Sequence, residues 1–157
     1  MSEERRVPEE LARYDAELAG IERDVERRID PGAAAVAVTV AVLVLVGALM
    51  LPWTGSTAGW EALAGTGSAG PLPRLFAGAA LGFGAVGSVL ALATRWWGLA
   101  WVCAVGCGFS VVAGVWAIWS RQVGVPDGAT GPGIGLVLAV LAVLALAVTW
   151  VRIALRH

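Results

Sequence analysis

Residues 33–52 read AAAVAVTVAVLVLVGALMLP, a run without one ionisable side chain. A helix needs roughly 20 residues, at about 1.5 Å each, to cross a hydrocarbon layer about 30 Å thick. This stretch therefore predicts a transmembrane helix. Three more runs of the same kind follow, at Leu75–Thr94, Trp96–Trp119 and Ile134–Val151, and none contains Asp, Glu, Lys, Arg or His. The expected fold class is all-α: an integral membrane four-helix bundle occupying residues 32–157, preceded by a cytoplasmic amphipathic helix within residues 1–31.

Composition points the same way. Of 157 residues, 58% are hydrophobic and 15% charged, with mean hydropathy +0.77, where a soluble domain carries about 25% charged residues. Charge is segregated: Met1–Pro31 holds six Arg against ten acidic residues, net −4, and the remainder holds five Arg against Glu61 and Asp127, net +3. A secretory signal would open on a short basic region. Here about 30 acidic-rich residues precede the first apolar run, so that run is expected to stay as an anchor.

Loop arginines set the expected orientation. Arg23, Arg27 and Arg28 precede the first run, Arg95 lies between the second and third, and Arg152 and Arg156 follow the fourth, against Arg74 and Arg121 on the other side. The excess of cations inside then predicts a multi-pass protein of a bacterial inner membrane with both termini cytoplasmic. Trp96, Trp97 and Trp150 fall at the inner boundary and Trp53, Trp60, Trp116 and Trp119 at the outer one, where amphipathic rings favour the interface. Arg95–Gly98 allows only a tight helical hairpin. Trp53–Pro73 and Arg121–Gly133 are Gly-rich connectors, with a short helix expected around Trp60–Leu63.

Ahead of the bundle, apolar residues recur at Val7, Leu11, Tyr14, Leu18, Ile21 and Val25, alternating four and three apart as in a heptad stripe. Pro8 suits a first turn, Glu9 and Glu10 complement the positive helix end, and Asp30-Pro31-Gly32 ends the helix. Leu11, Tyr14, Leu18, Ile21 and Val25 are the candidate partner-interaction residues, for a protein partner or self-association. Packing back onto the chain's own body is the alternative.

Within the apolar runs, Gly78 and Gly82, then Ala80, Gly84 and Ser88, then Gly106, Ser110 and Gly114 fall four apart. Small residues at this spacing let helix backbones approach closely, which marks them as helix-packing residues. Cys103 and Cys107 lie four apart on one helix, with Cβ atoms about 5–6 Å apart where a disulfide wants about 3.8 Å. They read as small packing residues. His157 is the sole histidine, so metal sites and His-activated nucleophiles are not expected. Glu61 and Asp127 read as solvated loop charges. GTGSAG at 65–70 lacks the strand-to-helix setting of a nucleotide loop. No cofactor, catalytic residue or nucleic-acid partner is expected, and the bilayer is the expected environment.

The segment LARYDAELAGIERDVERRIDPG (Leu11–Gly32), leading into an Ala/Val run with a Trp-Thr-Gly exit at Trp53–Gly55, resembles the small actinobacterial conserved four-helix, alanine-rich membrane proteins of unknown function. That resemblance brings no catalytic residues. The expected function is a non-enzymatic scaffold or accessory subunit of a membrane complex in envelope biogenesis or division. A small oligomeric permeation unit is the alternative, and a membrane thiol oxidoreductase comes third.

Overall fold

The structure is a computed structural model that describes residues 32–66, 70–123 and 131–156. The chain order is α1 (Gly32–Met50), β1 (Pro52–Thr54), β2 (Thr57–Ala58), α2 (Gly59–Ala64), α3 (Pro71–Ala79), a π-helical segment π1 (Ala80–Gly87), α4 (Ser88–Thr94), α5 (Trp97–Ser120) and α6 (Ile134–Leu155). α3, π1 and α4 form one continuous helical rod. With α1, α5 and α6 this makes, among the described residues, four helices long and apolar enough to cross a membrane, by length and composition. The amphipathic helix expected over Val7–Val25, with its stripe, lies outside the described residues, as do Asp127 and His157.

α6 is the hub. It packs against both α1 and α5 and buries Leu136, Ala139, Val143, Leu146, Trp150 and Ile153 along one side. Spacings of three and four place these residues on a single helical stripe. The rod joins the core through Phe76, Ala77, Ala80, Gly84, Ser88 and Ala91. α5 meets it with Ala100, Cys103, Gly106, Cys107, Ser110 and Gly114.

The rod begins at Pro71, four residues before the expected start. Pro71 and Pro73 sit in its first turn, where a missing N–H costs nothing and φ is already helical. It ends at Arg95, which takes a left-handed φ of 53° and turns the chain into α5 through Trp96.

In the connector after α1, residues 52–58 form a short hairpin where only a Gly-rich connector was expected, and α2 covers the short helix expected around Trp60–Leu63. β1 and β2 pair antiparallel, and Trp53, the middle residue of β1, is buried. The Trp53 indole N–H donates to the Ala48 carbonyl at 2.8 Å, and its ring packs at 5.4 Å from Phe76. Trp53 and Trp150 are fully buried, so the boundary positions expected for these two rings are corrected: they belong to the core. At the same end, the Gly133 N–H donates to the Trp53 carbonyl at 2.7 Å, and Thr54 bridges Pro132. The C-terminus of α1 and the N-terminus of α6 thus share one end of the bundle.

Candidate functional site

The expected helix-packing residues divide into two groups. A Cβ on Gly84 would meet Leu45 at 3.1 Å and Leu146 at 3.4 Å, one on Gly106 would run into the Phe83 ring, and one on Gly114 would meet Val140 at 2.6 Å and Phe76 at 2.9 Å. Ser88 is buried and accepts a hydrogen bond from the Trp150 indole at 2.9 Å. Ser110 is buried and donates to the Gly106 carbonyl at 2.8 Å. Gly78 and Gly82 instead face open space. The split is one of faces: residues two apart on a helix lie on opposite sides, so the row of Gly78 and Gly82 turns away from the buried row through Ala80, Gly84 and Ser88.

Two cavities flank this rod. One, of ≈ 660 Å³, is an apolar groove lined by Phe83, Trp101, Val102, Val105, Gly106 and Phe109. It exists because Phe83 lies over Gly106, where any larger residue would lift the ring away. The other, of ≈ 670 Å³, lies between α2 and α3 and is lined by Ala62, Gly65, Gly70, Pro71, Arg74, Leu75, Gly78 and Ala79. Here Gly65 ends α2 at φ 74°, and a Cβ on it would lie 3.0 Å from Nη1 of Arg74. The guanidinium thus lies over the carbonyl end of α2, which favours a cation.

Glu61, expected as a solvated charge, is half-buried and accepts the Ala58 N–H at 2.8 Å. This is one half of a capping box, since Ala58 has no side-chain acceptor to return the bond. Neither sequence spacing nor hydropathy marked this role. The E three residues after an alanine carries the signal only when position 58 is known to be the cap.

Cys103 and Cys107 are fully buried free thiols. Burial pushes Cys103 up to about 11, and burial followed by the charge of Cys103 pushes Cys107 up to about 12. Thiols held protonated in this way are poor nucleophiles. Among the described residues, no group of three or more His, Cys, Asp or Glu could hold a metal ion. At the end of the bundle opposite Trp53, the Trp97 indole donates to the Ala154 carbonyl at 3.4 Å and meets Trp101 edge-on at 6.2 Å.

No solved structure matches the chain. Residues 15–157 match the family described as the MiaB C-terminal domain. A curated relative from Mycobacterium avium (strain 104), named tRNA-2-methylthio-N(6)-dimethylallyladenosine synthase, is 45% identical over 148 residues. The match takes in 91% of this chain and 21% of the relative. The chain therefore spans about a fifth of the length of the relative it matches.

These findings correct the earlier reading. The resemblance to membrane proteins of unknown function gives way to the MiaB family. With it fall the integral-membrane assignment of the bundle, the multi-pass inner-membrane localisation, and the scaffold function with its permeation and thiol-oxidoreductase alternatives. The expectation that no enzyme is involved is overturned by a relative named as a synthase. The partner set of bilayer and interacting protein, with nucleic acid excluded, meets a relative whose name refers to tRNA. Kinship carries the correction, since the helices do have the length and apolarity of membrane-crossing ones. Apolarity reports that side chains avoid water; it does not identify what replaces the water. On the match over residues 15–157, the chain belongs to the MiaB C-terminal domain family.

Proposed function

We propose that this chain serves as a helical module of a tRNA-modifying activity that forms 2-methylthio-N6-dimethylallyladenosine. The observation that carries this reading is the 45% identity over 148 residues to a synthase of that name. In that relative the matching stretch is 21% of the length, which supports a division of labour in which the bond-making chemistry belongs to other parts of the enzyme. The buried, protonated thiols of Cys103 and Cys107 accord with that division. What the module's own residues can supply is a packed helical body with apolar outer faces, such as Val36, Leu43, Val105 and Val112. Faces of this kind mark interaction surfaces.

The test is deletion of the coding stretch for residues 32–157 in the native host, followed by nucleoside mass spectrometry of its tRNA. The expected result is a several-fold fall in the ratio of the 2-methylthio nucleoside to its unthiolated precursor, restored by the intact chain. An unchanged ratio overturns the reading.

A further inference from the structure

We draw no further inference here: the strongest candidate, the apolar groove between the rod and α5 lined by Phe83, Trp101, Val102, Val105, Gly106 and Phe109, is an unpartnered apolar face, and nothing in the structure shows what covers it.

Discussion

The indole N–H of Trp150 donates to the hydroxyl of Ser88 at 2.9 Å, in the buried contact between α6 and the rod. It is a side-chain bond across 62 positions of sequence, and it satisfies a buried donor. Replacing Ser88 with Ala leaves that donor unpaired, which costs about 1–3 kcal/mol. Ser88→Ala should lower the unfolding temperature, while Ser88→Thr, which keeps the hydroxyl, should lower it less. Thermal unfolding followed by circular dichroism decides; equal losses in the two variants would show that the hydroxyl contributes nothing.

Gly106 and Gly108 are neighbours on α5 with opposite demands. A Cβ on Gly106 would enter the Phe83 ring, and one on Gly108 meets nothing within 4 Å. Gly106→Ala should destabilise by about 1–3 kcal/mol through overpacking. Gly108→Ala should stabilise by up to about 1 kcal/mol, because alanine is the better helix former. Adding Phe83→Ala to Gly106→Ala should cost less than the two single losses together, a coupling that a double-mutant cycle measures.

The thiols of Cys103 and Cys107 should resist alkylation in the folded protein and react fully once it is denatured, since neither is exposed. Their ionisation also ties stability to pH. Folding raises Cys103 from 9.0 to about 11 and Cys107 from 9.0 to about 12. Above pH 9 the unfolded chain therefore loses thiol protons that the folded chain retains, and stability falls. The contribution is complete below pH 9 and declines as pH rises toward 11–12. A Cys103→Ala, Cys107→Ala double variant should lose that slope, read as the unfolding midpoint against pH.

The short helix α2 is capped from one side only. Glu61 holds the Ala58 N–H at 2.8 Å, while Ala58 offers no acceptor in return. Ala58→Ser should complete the reciprocal pair and stabilise by about 0.5–1 kcal/mol, and Glu61→Ala should cost a similar amount. At the other end Gly65 has φ 74° beside Arg74. Gly65→Ala should cost about 1 kcal/mol in a left-handed position. Chemical denaturation of each variant checks the three signs.

Much of the helical layout was legible because apolar runs and their interruptions are local features. The Arg95–Gly98 stretch admits only a sharp reversal, whereas Pro71 and Pro73, read as the end of a connector, turn out to open the rod. The π segment was not legible. Four-residue spacing alone placed Gly78 and Gly82 in the same class as Gly84 and Ser88, and only the packed fold sets Gly84 against Leu45 and Leu146. Trp53 and Trp150 were misplaced for a related reason. Sequence position puts each ring near a helix end, but only the fold supplies the Ala48 carbonyl and the Ser88 hydroxyl that let their N–H groups be buried.

Sequence by itself determined that this chain builds helices with continuous apolar surfaces, because uncharged runs of this length cannot be solvated as coil and satisfy their backbone polar groups most simply as helices. By comparison of residues it also determined the MiaB C-terminal domain family, which hydropathy had obscured. Tertiary structure alone decided which small residues let helices touch, which tryptophans are core, and that Glu61 caps a helix. Each of these depends on atoms that lie far apart along the chain or at a cap whose position is set by the fold, and meet only when the helices pack.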